Sequence, residues 1–252
     1  MKKLMMATVG MVGMVSAAKA ETIDVMMLYT QPAADKISGS MSTRINNLIS
    51  YANRVYRNNG LDITLNVVAQ GRISTSDLQP TESDLDLITD SNSIQGYRNQ
   101  YKADMVVLLG TRENIFQGGQ LQGYVCGIAW VGRGNNGTMY SSSNSRAYSI
   151  SAVDCGYNTF VHELGHNMGL AHSRRQGDRS GGVYSYGMGH GVDFSFSTIM
   201  AYPQAYNGNV TQLDIFSDPD WNACNSQPCG VTGVSNSYQA IRPIIDDVAG
   251  YR

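Results

Sequence analysis

Residues 103–110, ADMVVLLG, are apolar at odd and even positions alike, so a strand built from them has to be covered on both faces. Such a strand belongs inside a sheet, and the neighbouring segments must supply the layers above and below it. Residues 22–30, TIDVMMLYT, are apolar and partly β-branched and read as a second buried strand. Met41, Ile45, Leu48, Ile49, Ala52, Val55 and Tyr56 recur at helical spacing, and Gly60 is placed to end that helix. Leu61, Ile63, Leu65 and Val67 alternate with polar residues, the pattern of a strand with one face inward. Residues 81–101 read as helical in part. Two more strands are expected at 121–131 and 147–153, with a Gly, Asn and Ser loop between them. From Ser173 to Gly191 glycine, serine and arginine dominate, which predicts irregular structure. Val234, Tyr238, Ile241, Ile245 and Val248 then predict a closing helix over 235–250 despite Pro243. Strand and helix alternate through the first half, and no repeat, low-complexity linker or sharp change of composition marks a second domain. One α/β domain over residues 21–252 is the expectation.

The first twenty residues read differently. Lys2 and Lys3 precede an apolar stretch from Leu4 to Val15, and Ala18-Lys19-Ala20 has the form of a signal-peptidase site, which predicts a leader cut after Ala20. The stretch is shorter than the ~20 residues a spanning helix needs, and no later segment is long and apolar enough to cross a bilayer. Export to an extracellular location follows, and a strand beginning at residue 22 leaves no room for a propeptide. Loss of three leader lysines from 18 basic side chains leaves 15 against 20 acidic ones, a formal charge of −5. That balance argues against nucleic acid as a partner. A hydrophobic content of 42% over 252 residues supports a real core, and a monomer is expected. Cys126, Cys155, Cys224 and Cys229 are even in number in an oxidising compartment and predict disulfides. Three pairings are open; if Cys224 closes a small loop with Cys229, Cys126 and Cys155 staple the middle of the chain.

The chemistry concentrates in residues 162–172, HELGHNMGLAH, which fit the pattern H-E-x-x-H-x-x-G-x-x-H throughout. Two histidines four apart on a helix point their imidazoles at one ion, and Gly169, taking a left-handed conformation, turns the chain so that His172 approaches it from another side. Three neutral imidazoles on tetrahedral zinc leave one corner for water. On a helical wheel Phe160, Val161, Leu164 and Met168 fall within one arc of ~100° that faces the core, with His162 and His166 nearly opposite. Glu163 lies beside the ligands and points past the metal, where a carboxylate takes a proton from the attacking water and returns it to the leaving amine. The competing class, a binding or adhesion module stapled by zinc without turnover, should lack that base. A zinc amidase acting on a non-peptide substrate is the third reading.

Together with Ser197-Thr198-Ile199-Met200-Ala201-Tyr202, this motif resembles the metzincin clan of zinc endopeptidases, whose second signature is a methionine turn below the metal. Within the clan the chain is most similar to bacterial secreted reprolysin-like enzymes, including the peptidyl-Asp metalloendopeptidase group. The likeness runs through TIDVMMLYT at 22–30, CGIAW at 126–130, TIMAY at 198–202 and FSDP at 216–219. Asn167 fits the reprolysin pattern, whereas Ser173 stands where reprolysins proper have aspartate.

The resemblance implies a twisted mixed sheet with packed helices above a zinc cleft, and an irregular lower half after Gly169 closed by the C-terminal helix. It makes Met200 the support beneath the zinc site and Tyr202 a ligand at rest or a donor to the oxyanion. Residues 127–131 become the edge strand to which an extended polypeptide substrate pairs. Outside the motif, His190 reads as structural. Arg174, Arg175 and Arg179 offer a basic rim for acidic side chains, and Asp214, Asp218 and Asp220 offer carboxylates to a calcium ion (Ca2+). The expected function is hydrolysis of internal peptide bonds, with Zn2+ held by His162, His166 and His172 and with Glu163 as base.

Overall fold

The structure is a computed structural model that describes residues 20–252; the leader reading rests on residues 1–19 and lies outside the described residues. Strands β1 (Glu21–Tyr29), β2 (Ile63–Arg72), β3 (Met105–Gly110), β6 (Gly127–Ala129) and β9 (Tyr148–Ala152) form one sheet in the order β2-β1-β3-β9-β6. The first four strands of that order run parallel and β6 runs antiparallel to β9, which is the mixed sheet expected. Every residue of β3 is buried, as its unbroken apolar run requires. The pleat of β1 and β3 divides their side chains between two cores. Val25, Met27, Val107 and Leu109 meet helix α2 (Met41–Asn58) and helix α6 (Tyr157–Asn167) on one face. Met26, Leu28, Val106 and Leu108 meet α3 (Glu82–Asp90) and α4 (Asn92–Gln100) on the other. Each such side chain contributes about 1.5–3 kcal/mol when fully buried, so the two-sided strands anchor the domain. Short α1 (Gln31–Lys36) links β1 to α2. Ser40 caps α2 by accepting the Thr43 N–H, and Gly60 at φ +68° follows its C-cap Asn59.

Three sequence expectations need correction. Residues 121–131 are not one strand. Strands β4 (Glu113–Gln117) and β5 (Gln120–Val125) pair as a hairpin about Gly118 and Gly119, and the chain changes partner at Cys126 before β6 pairs with β9. Cys126 is bonded to Cys155, which holds this switch point at the end of β9. The loop at 132–146 carries a two-residue ladder, β7 (Gly134–Asn135) with β8 (Thr138–Met139), and the short helix α5 (Ser141–Ser145). The closing helix is interrupted: α7 (Ser237–Ile241), a 3-10 turn at Arg242–Ile244 and α8 (Ile245–Ala249) follow in series, because Pro243 has no N–H to continue the ladder.

After Gly169 the chain is largely irregular. A small sheet of β10 (Gly191–Val192), β11 (Phe196–Ser197) and β12 (Thr211–Gln212) packs with the second disulfide, Cys224–Cys229, around Phe196. No cysteine is free. Among the described residues no helix is long and apolar enough to cross a membrane.

Candidate metal centre

Helix α6 leaves β9 through Cys155 and Gly156 and carries His162, Glu163 and His166. Its core-facing residues are those of the expected arc, Phe160, Val161, Leu164 and Met168, and the chemical face is buried as well. At its end Gly169 has φ +81°, where an added Cβ would lie 2.7 Å from Val183 Cγ2; backbone sign and close packing both require glycine. The reversal brings Ala171 into a bridge with Met188 and His172 back beneath the helix.

The three rings converge. His172 Nε2 lies 3.2 Å from Nε2 of both His162 and His166, and these are the residues that could hold one ion. His162 Nδ1 is 2.7 Å from the Ile199 carbonyl and His166 Nδ1 is 2.8 Å from the Leu170 carbonyl. Carbonyls only accept, so each Nδ1 carries the proton and each Nε2 presents a bare lone pair. Lone pairs packed face to face repel unless a cation sits among them, so the set fits a three-nitrogen zinc site. Burial, with the neighbouring histidines, lowers the pKa of His162 well below its ordinary value and that of His166 to about 4, favouring the neutral ligating form.

His172 has a partner that the sequence did not reveal. The Asp178 carboxylate accepts its backbone N–H at 2.8 Å and lies 3.3 Å from its Nδ1. Residue 178 sits in the stretch expected to be irregular, and nothing in its spacing from the motif marks it; the turn after Ser173 delivers it. Metal-ligating histidines commonly use a carboxylate in this way to fix ring orientation.

Below the rings Met200 is fully buried, with Sδ 2.6 Å from where a Cβ on Gly165 would stand. Tyr202 packs its ring 5.3 Å from that of His162 and 4.8 Å from that of His172. Burial, with the charges of Glu163 and Asp178, raises its hydroxyl pKa. Glu163 is 3% exposed, and burial pushes its carboxyl well above the usual range. A Cβ on Gly127 of β6 would overlap Glu163 Oε1 and stand 2.6 Å from Cδ, so the carboxylate lies against the edge strand. A cleft of about 390 Å³ joins them, lined by Tyr124–Gly127, Asn158, Thr159, His162, Glu163, Tyr202 and Gln212 among others. A larger groove of about 580 Å³ between β2 and α4 has Arg72 as its one charged lining side chain and lacks this chemistry.

The remaining candidates are not at the site. His190 packs edge-on to Phe196. Arg174, Arg175 and Arg179 are all exposed, and Arg175 is turned away from a rim role by pairing with Asp193 at 3.2 Å and lying over Tyr206. The calcium expectation finds no support: Asp214 accepts from Tyr51, Asp218 closes a turn onto the Asp220 N–H, and the three histidines are the one metal-type cluster among the described residues.

Residues 42–173 match the family described as metallo-peptidase family M12B, reprolysin-like. The chain belongs to this family. The reprolysin-like chain is 35% identical over 270 aligned positions to the peptidyl-Asp metalloendopeptidase of Pseudomonas aeruginosa, covering 100% of itself and 44% of that protein. It is 26% identical to the one of Xanthomonas campestris pv. campestris, covering 95% of itself and 55% of the relative. The chain thus spans about half the length of the curated relatives it matches. Among solved structures it is similar to one titled "Structure of a chaperone-substrate complex", with TM-score 0.68, 19% identity, and coverage of 93% of this chain and 36% of that one; this likeness concerns fold alone. Family membership and the three-histidine cluster together imply a metal, typically zinc.

Proposed function

We propose that residues 21–252 form a single, monomeric, secreted catalytic domain that hydrolyses internal peptide bonds, with His162, His166 and His172 as zinc ligands and Glu163 as general base. The observation that carries this is the convergence of three Nε2 atoms within one cluster beside a buried carboxylate, at the mouth of a cleft flanked by a free sheet edge. Zinc, when bound, supplies Lewis acidity toward a carbonyl and toward water.

The chain's own residues do the rest. β6 offers its outer edge to an extended polypeptide, which the backbone would align by strand pairing. Glu163, pressed against Gly127 of that edge, accepts a proton from the attacking water at a carboxylate oxygen and delivers it to the leaving amine. Its burial keeps bulk water from competing for that proton. Tyr202, packed against two of the rings, is the candidate donor to the oxyanion. A leader cut after Ala20 and two disulfides fit export.

The relatives' name, peptidyl-Asp metalloendopeptidase, suggests a preference for bonds beside aspartate. Glu163 is the one carboxylate lining the cleft, and Asn158, Thr159, Tyr202, Gln204 and Gln212 add amides and hydroxyls to its wall, so an acidic side chain meets little repulsion there. Profiling cut sites with a peptide library tests this directly.

The decisive test is a pair of variants. Glu163→Gln should keep fold and zinc and lose on the order of 10²–10⁴-fold in turnover, whereas His166→Ala should lose zinc and activity together. Zinc content and casein hydrolysis measure both; a fully active glutamine variant would remove the base assignment.

A further inference from the structure

The β4–β5 hairpin presents apolar side chains to solvent. Phe116 is 63% exposed, Tyr124 55% and Leu121 52%. Pairing register places them together. Asn114 opposes Tyr124 and Phe116 opposes Leu121, with the irregularity of β5 taken up between these pairs. Residues 114 and 116 are two apart on β4 and therefore share a face, and their partners share it with them. Phe116, Leu121 and Tyr124 thus form one apolar face. Exposed clusters of this kind mark interaction surfaces, whereas a single exposed apolar residue means little.

Its location says what it meets. Tyr124 and Val125 line the cleft that holds His162 and Glu163, and the chain passes through Cys126 directly into the edge strand β6. The base of the hairpin is fixed on both sides. Arg112, whose backbone N–H is accepted by Asp154 at 2.9 Å, lies with its guanidinium 4.6 Å from the Tyr124 ring centre, and Cys126 is bonded to Cys155 beside Asp154. The face therefore continues the wall of the cleft. At about 3.4 Å per residue it reaches roughly 10 Å from Tyr124 to Leu121, the span of three extended residues.

We propose that this face is an additional substrate subsite, which takes bulky apolar side chains of an extended polypeptide about three residues beyond those that fill the cleft. The inference rests on the peptidase reading. It makes the preferred substrate an unfolded or loosely folded chain with an aliphatic or aromatic residue at that distance from the cut, where a short peptide gains nothing.

The test uses the mature protein with Phe116→Ser and Leu121→Ser combined, both remote from the metal ligands and the base. Its substrates are a short peptide confined to the cleft and two long peptides, with leucine or serine at the distal position. Wild type should cleave the leucine peptide about tenfold better in kcat/KM than the serine peptide. The double variant should lose that preference, largely through KM, while cleaving the short peptide at the wild-type rate. Phe116→Leu with Leu121→Met should restore the preference. Equal cleavage of both long peptides by wild type, or a preference that survives the double variant, would overturn the subsite. So would an equal loss on short and long peptides, since that is damage to the fold or the centre. Wild-type self-association abolished by the same two substitutions, with no change in cleavage, would assign the face to a second copy instead. If wild type cleaves none of the peptides, the peptidase reading itself falls, a result distinct from all of these.

Discussion

The two halves of this domain are held together by different means, and the metal centre draws on both. Before Gly169, order comes from periodic burial: the central strands are covered on two faces and α6 is buried from Phe160 to Asn167, so helix geometry aims His162 and His166 at one point. After Gly169 buried side chains and the second disulfide still supply a core, but the irregular segments around the centre are fastened by single polar contacts. Ser217 Oγ donates to the Met188 carbonyl at 2.6 Å, and the Gln212 amide donates to the carbonyls of Ile199 and Ala201 on either side of Met200. Asn59, at the end of α2, accepts the Phe216 N–H and donates to the Asp214 carbonyl, tying the halves. Each such bond is worth about 1 kcal/mol. The upper half therefore sets direction, and the lower half must be fastened at each point where it touches the centre. Damage above should spoil turnover with the metal in place, and damage below should loosen the metal.

Gly127→Ala attacks the upper half where tolerance is smallest. The residue is in a strand, so alanine fits its backbone, but the methyl group claims space filled by the Glu163 carboxylate. A displacement of the proposed base by about 1 Å costs on the order of 100-fold in rate. We expect that loss in kcat, with zinc content and thermal midpoint near wild type. Retention of full turnover would mean that Glu163 has room to act from a second position, and the contrast between the halves would weaken.

Asp178→Ala attacks the lower half. It removes the acceptor of the His172 N–H and the carboxylate beside Nδ1. Loss of an outer partner of this kind typically lowers metal affinity 10–100-fold. Competition with a zinc chelator should show that drop, with kcat at saturating zinc changed much less. Asp178→Asn keeps an acceptor for the N–H without the charge and should fall between. A variant with unchanged zinc affinity but slow turnover would reverse the division of labour.

The same division decides what could be read from sequence. Continuous or alternating apolar runs report burial directly, so 22–30, 41–59, 103–110 and 147–153 appear as the elements they predict. The eleven-residue motif is local, and helix plus glycine fixes its geometry without distant information. The β4–β5 hairpin was not legible because its apolar residues face solvent, and burial logic merged its second strand with β6. The partner switch at Cys126 depends on a covalent bond to a residue 29 positions away. Asp178 and Gln212 act through backbone groups of residues they do not neighbour in sequence, and single polar contacts leave no periodic trace.

Asp104 is a polar group immediately before the most apolar strand, and so the sharpest exception inside the patterned half. It is 2% exposed, and it accepts the Asp24 N–H at 2.8 Å and the Arg252 N–H at 3.1 Å. The nearby Arg98 guanidinium donates to the Asp104 backbone carbonyl, leaving the carboxylate without that ion pair. Burial pushes its pKa up to about 6, against the opposing pull of the two backbone N–H groups. The folded state thus holds this proton more tightly than the unfolded chain, whose carboxyl titrates near 3.8. Its stabilising contribution is complete below the unfolded value and fades as pH rises through about 6. Asp104→Asn carries no such proton, so its offset from wild type reports this group alone, whatever the histidines do. The thermal midpoint of wild type relative to Asp104→Asn should rise as pH falls from 7 to 5. A difference that stays constant across that range would place the carboxyl in its ordinary state and make the start of β3 wetter than its burial implies.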